Sequence, residues 1–160
     1  GAVDCRLAYA NKARGPWTLL DGQIIPHGTW DSQLCHAARP VDFEDNHRLY
    51  YFGADNATTS ASLGLAVLPK DRYAALVAPP NQDDSSFRTV PLYCAGSHLT
   101  LTVEGGCVAV TKVNHQHVSD AELCASGTVP NLDLSAYVDG DVQFDIHLSK
   151  GAALYSVAFA

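Results

Sequence analysis

The sequence has no Met, no long apolar run and no cluster of basic residues, and each absence removes a class of function. Without Met the chain lacks an initiator, so an N-terminal signal or pro-segment is expected to have been removed. No apolar stretch approaches the roughly 20 residues that a membrane helix needs, so membrane insertion is not expected. Lys and Arg number 10 against 17 Asp and Glu, and the net charge of −7 argues against a nucleic-acid partner, which takes clustered cations. Charged residues are scarce at 17 %, whereas hydrophobic residues make up 47 % of the 160, enough for a buried core and too many for a disordered chain.

Signatures of catalysis and metal binding are also missing. The five Cys (Cys5, Cys35, Cys94, Cys107 and Cys124) show no Cys-x-x-C spacing of the zinc or thioredoxin kind. No Gly-x-Ser-x-Gly phrase surrounds Ser97 or Ser126. His115-Gln116-His117 places two imidazoles on one face of a strand without an obvious third ligand, so no metal or other cofactor is expected. Asp31, Asp55 and Glu104 sit beside strand ends and could converge. Glycoside hydrolysis, however, needs two carboxyls about 5–5.5 Å or 6.5–9.5 Å apart, and no spacing singles out such a pair. The chain is not expected to be an enzyme.

What is present is alternation. Ser97-His98-Leu99-Thr100-Leu101-Thr102-Val103-Glu104 places apolar and polar residues at a period of two. So do Val142-Gln143-Phe144-Asp145-Ile146-His147-Leu148-Ser149 and Leu154-Tyr155-Ser156-Val157-Ala158-Phe159. This is the pattern of strands with one face buried and one face wet, and Gly and Asp turns between them predict antiparallel pairing. Upstream, Arg48-Leu49-Tyr50-Tyr51-Phe52-Gly53 and Ser62-Leu63-Gly64-Leu65-Ala66-Val67-Leu68 are strand-like by propensity. Shorter strands are expected at 5–10, 17–20, 24–26, within 30–38 and at 73–77. Helix signals reduce to one turn at Ser119-Asp120-Ala121-Glu122. The expected fold is all-β: an antiparallel, jelly-roll-like β-sandwich with additional N-terminal antiparallel strands. It forms a single domain over 1–160, with strands in 1–78, a linker-like loop at 79–87 and sandwich strands in 88–160.

Scattered Cys in a turn-rich β chain favour disulfides and a secreted protein. Cys107 and Cys124 flank a short loop and could close it, and Cys5 and Cys35 could tie the N-terminus to the next strand. Cys94 is then left free, bridging two chains in a homodimer, or buried and reduced. Asn56-Ala57-Thr58 is an N-glycosylation acceptor after a strand, which makes Asn56 a candidate glycan carrier.

Several phrases carry a resemblance. Trp17-Thr18-Leu19-Leu20, Ile25-Pro26-His27-Gly28-Thr29-Trp30-Asp31, Leu49-Tyr50-Tyr51-Phe52-Gly53-Ala54-Asp55 and Leu63-Gly64-Leu65-Ala66-Val67-Leu68-Pro69-Lys70-Asp71 resemble the last blade of five-bladed-propeller glycosidases of the invertase and levanase kind. Gly96-Ser97-His98-Leu99-Thr100-Leu101-Thr102-Val103 and Gly151-Ala152-Ala153-Leu154-Tyr155-Ser156-Val157 resemble the β-sandwich that follows in such proteins. The resemblance implies blade-like strands in 1–78 and sugar-handling relatives. It implies no hydrolase: the Asn-Asp-Pro, Arg-Asp-Pro and Glu-Cys phrases that carry those enzymes' chemistry are absent, and Glu122-Leu123-Cys124 is only superficially similar to the last.

Sugar recognition calls for a flat aromatic face against C–H groups, with carboxylates and amides reading hydroxyls. Trp30 with Asp31, and Tyr51 with Asp55 and Asn56, supply those groups close together, Tyr51, Gly53 and Asp55 sharing one face of a straight strand. These five residues are the expected carbohydrate-binding set of a non-catalytic lectin. The alternative is a structural or accessory β-sandwich module of a larger glycosidase or extracellular assembly, which predicts large apolar exposed surfaces where blade strands lack neighbours.

Overall fold

Period-two patterning becomes antiparallel strand in both halves of the computed structural model, which describes every residue except 1, 11, 56–60, 80 and 120. The contacts divide the chain into two compact units, Gly1–Tyr73 and Ala74–Ala160. Among the described residues no helix is long and apolar enough to cross a membrane.

In the first unit, β1 (Ala8–Tyr9) and β2 (Thr18–Leu19) form a small hairpin. The main sheet contains β3 (Leu34–Ala37), β4 (Val41–Phe43), β5 (Asn46–Ala54) and β6 (Ala61–Pro69). β5 is central: β6 pairs along its whole length on one side, and β3 and β4 share the other. Leu49 and Tyr51 face a small core with Ile25 and Cys35, joined by the partly buried Cys5, Ile24, Ala66 and Leu68. A Cys5–Cys35 disulfide staples the covering N-terminal segment to β3.

The opposite face of this sheet is bare. Register sets Phe52 opposite Leu63, Tyr50 opposite Leu65 and Arg48 opposite Val67. Leu63 is 81 % exposed, Val67 56 % and Leu65 49 %. The small residues of β6 point the other way: a Cβ on Gly64 would lie 2.4 Å from Cζ of Tyr51. β6 therefore turns its bulk toward solvent and its small residues toward the core, the reverse of what hydrophobic burial favours.

The second unit is a sandwich. Its strands are β7 (Leu76–Val77), β8 (Asp84–Arg88), β9 (Leu92–Tyr93), β10 (Leu99–Glu104), β11 (Val108–Val113), β12 (Gln116–His117), β13 (Glu122–Leu123), β14 (Gly127–Thr128), β15 (Asp141–Val142), β16 (Phe144–Ser149) and β17 (Ala153–Phe159). One sheet runs β14-β10-β17-β7 and the other β12-β11-β16-β8, with β13 also on β11 and β9 pairing β15 apart from both. Leu99, Leu101, Val103 and Leu154 of the first meet Val108, Val110, Val113, Phe144, Ile146 and Leu148 of the second in one continuous core. A bulge between Val110 and Lys112 keeps Lys112 outside and returns Val113 to the core. Cys107 and Cys124 are bridged.

The fold is all-β and antiparallel with a sandwich, as the alternation predicts. Four local expectations are corrected. No strand forms at 24–26, where Ile25 instead enters the small core of the first unit. The loop expected at 79–87 contains most of β8, which pairs with β16 from Ser149↔Asp84 to Asp145↔Arg88. One apolar anchor, Phe87, packed against the core, is enough to seat that polar strand. Leu76–Val77 pairs with β17 and belongs to the sandwich rather than to the strands before it. Of the helical turn expected at 119–122, residue 120 lies outside the described residues, Ser119 and Ala121 are in no helix and Glu122 opens β13, while a 3-10 turn forms at Ser135–Tyr137.

Candidate functional site

The segment 27–31 is closed on itself before it meets the sheet. The Gly28 amide donates to Asp31 Oδ1, and Nδ1 of His27 bonds the Asp31 carbonyl. This sets Trp30 and Asp31 over β5, where only Gly fits at position 53: a Cβ there would lie 2.7 Å from Cβ of Asp31 and 2.8 Å from Cζ3 of Trp30. The Tyr51 hydroxyl donates to Asp31 Oδ2 at 2.8 Å, and the Trp30 and Tyr51 ring centroids are 5.7 Å apart. Three of the five expected binding residues thus meet at one place.

Their roles differ from the expectation. Asp31 is 2 % exposed and both its oxygens already accept hydrogen bonds; Tyr51 is buried and spends its hydroxyl on Asp31. Neither can reach a sugar, which corrects their assignment as direct binding residues: they position Trp30, which is 40 % exposed. Asp55 lies just beyond β5, where its carbonyl accepts from Ser32 Oγ at 3.0 Å. Asn56, the expected amide ligand and glycan carrier, lies outside the described residues.

Burial pushes the Asp31 carboxyl up, but the Tyr51 hydroxyl, the Gly28 amide, its own amide and the His27 charge outweigh it and leave its pKa lowered. Burial and the adjacent carboxylate both raise the Tyr51 phenol. The sequence reading missed the support behind this cluster. His27 Nε2 lies 2.8 Å from Asp4 Oδ1, and Gln23 Nε2 donates to the same oxygen at 2.9 Å. The Asp4 hydrogen bond, then the Asp31 carbonyl, raise the His27 pKa, and His27 in turn lowers that of Asp4. The signal available was Cys5 beside Asp4, whose bridge to Cys35 carries that carboxylate toward the loop.

A second tie runs Asp42–His47–Tyr73, with His47 Nε2 at 2.9 Å from Asp42 Oδ1 and His47 Nδ1 at 2.6 Å from the Tyr73 hydroxyl. Burial first, then the Asp42 charge, raises the Tyr73 pKa, so the phenol stays protonated and the trio fastens β4 and β5 to the chain beyond β6. His115 occupies a positive-φ turn while His117 stands on β12, so the two do not share a strand face. Among the described residues, the one group of potential metal ligands is Cys107, Glu122 and Cys124, and its thiols are joined as a disulfide. Cys94 is unpaired and fully buried, donating to the Gly96 carbonyl at 3.2 Å, which removes it as a bridge between chains.

No protein-family model, curated protein or solved structure matches the chain. Its fold and cluster define a two-unit all-β protein with one disulfide in each unit, the second unit a sandwich.

Proposed function

We propose that the chain is a non-catalytic accessory module of a larger extracellular assembly of the glycosidase kind it resembles, with the sheet of the first unit covered by a further antiparallel sheet. The observation that carries this reading is the inversion on β6, where Leu63, Leu65 and Val67 face outward beside Tyr50 and Phe52 while Gly64 faces the core. Sheets with apolar residues on both faces are covered on both, and aligned sheets pack about 10 Å apart through interdigitating side chains. Exposed contiguous apolar surface of this sort marks an interaction site. The two disulfides support an oxidising, extracellular setting. The native mass of the protein purified from its source tests the proposal: an assembly containing additional, different β-structured polypeptide is expected. A 17.1 kDa monomer, or identical 17.1 kDa chains alone, overturns it.

Sugar recognition by the first unit is the second reading, and Trp30 favours it: a half-exposed indole held rigid from behind by Tyr51 and Gly53 is a ready stacking platform. Titration with neutral mono- and disaccharides is expected to shift the Trp30 indole resonance and leave that of Trp17 in place. An unmoved Trp30 signal removes this reading.

A further inference from the structure

The outward face of the β8-β16-β11 sheet is polar, and its cross-strand rows bring opposite charges together. Arg88 stands opposite Asp145, and Asp145 opposite Lys112, with Ser86 one row along. Arg88 donates from Nη2 to Oδ2 of Asp145 at 2.9 Å and from Nε to Oδ1, a bidentate fork that fixes both side chains. First through this fork and then through the Lys112 and His115 charges, the Asp145 carboxyl is held below its ordinary pKa.

The bulge between Val110 and Lys112 interrupts the ladder beside this pair. Thr111 is the extra residue, and its hydroxyl donates to the Asp145 carbonyl at 3.2 Å. Bulges re-aim side chains and recur next to binding sites. Beside this bulge lies an open, shallow groove of about 330 Å³ lined by Ser86, Phe87, Arg88, Thr111, Lys112 and Asp145. It combines hydroxyls, a fixed carboxylate and two cations in a chain whose net charge is −7. The fork leaves Nη1 of Arg88 unused, and the Lys112 ammonium is in no hydrogen bond or short ion pair among the described residues.

We propose that this groove binds an acidic saccharide of the uronate type. The sugar carboxylate is taken by Lys112 and the free edge of Arg88, and its ring hydroxyls by Asp145, Thr111 and Ser86. Two cations against one carboxylate select for an anion; the fixed carboxylate and hydroxyls select for one that also carries hydroxyls. The site belongs to the second unit and the Trp30 cluster to the first, and the proposal depends neither on what covers β6 nor on Trp30.

The test is amide chemical-shift titration of the intact, isotopically labelled protein with trigalacturonate, the corresponding neutral galactotriose, and inorganic sulfate, at low ionic strength. Saturable shifts confined to β8, β11 and β16 are expected with trigalacturonate, weakening as salt is added. Lys112→Ala is expected to weaken this binding about tenfold or more with the remaining spectrum unchanged, because Lys112 is exposed and outside the core. Equal binding of the neutral trisaccharide, equal binding of sulfate, unchanged affinity in Lys112→Ala, or no saturable shift in these strands each overturns the proposal.

Discussion

Asp31→Ala is expected to destabilise the first unit by about 3 kcal/mol, because it leaves the buried Tyr51 hydroxyl without a partner, which costs about 1–3 kcal/mol, and removes the Gly28 hydrogen bond, worth about 1 kcal/mol. The Gly28 amide and the Tyr51 hydroxyl both terminate on this carboxylate; the exposed Gly28 can turn to water when it is removed, whereas the buried Tyr51 hydroxyl cannot. Tyr51→Phe is the control: it leaves the Gly28 bond intact but leaves the buried Asp31 Oδ2 without its donor, so its cost is expected to be about 1–2 kcal/mol. Asp31→Asn separates charge from shape, since the amide oxygen can still accept from Gly28. Urea unfolding followed by tryptophan fluorescence measures all three, because Trp17 and Trp30 both lie in the first unit. The pH dependence has a fixed sign. The folded pKa of Asp31 is depressed, so its contribution is fully present above the ordinary carboxylate pKa of about 3.9 and is lost as pH falls through the lower folded value. A fluorescence midpoint in Asp31→Ala equal to that of Tyr51→Phe would show that the carboxylate does not organise this loop.

Strands were legible in the sequence where their evidence is local. Leu99-Thr100-Leu101-Thr102-Val103 and Phe144-Asp145-Ile146-His147-Leu148 alternate within five residues, and both are strands with the apolar set inside. β5 and β6 were legible as strands by propensity, but which face would be covered was not. Their runs are apolar on both faces, and only the Gly64–Tyr51 contact tells inside from outside. β8 escaped because Ser85 and Ser86 are held by pairing to Leu148 and His147 of β16, just over sixty residues away. Of the candidate site, the pairing of aromatic and carboxylate at Trp30, Asp31 and Tyr51 was readable; the burial of Asp31 was not. It depends on Gly53 admitting the loop to the sheet and on Asp4 and His27 bracing it, contacts that span 22 and 23 positions of the sequence. The groove beside Arg88 was hidden for the same reason: it is assembled by a bulge and by pairing across three strands.

The largest loss in the second unit is expected from Phe144→Ala, at about 4 kcal/mol. Phe144 is fully buried, begins the central strand β16, and lies 6.1 Å between ring centroids from Phe159 on the facing sheet. Truncation therefore removes contacts with both layers and leaves a cavity that paired strands on either side cannot collapse to fill. Phe144→Leu keeps most of the volume and is expected to cost about 1 kcal/mol. Leu63→Ala supplies the contrast that matters for function. It removes a hydrophobic residue of similar chemistry, but from a side chain that solvent already reaches, so the stability of the chain alone is expected to change by no more than about 0.5 kcal/mol. In the native assembly the same change deletes part of the surface that the proposed partner sheet covers, and it is expected to weaken association there. Chemical unfolding by far-UV circular dichroism, with amide exchange of β10 and β16, reads the core effect, and sedimentation of the native assembly reads the surface effect. A Leu63→Ala chain as destabilised on its own as Phe144→Ala would mean that the bare face is already covered within the chain, and the docking role assigned to β6 would fall with it.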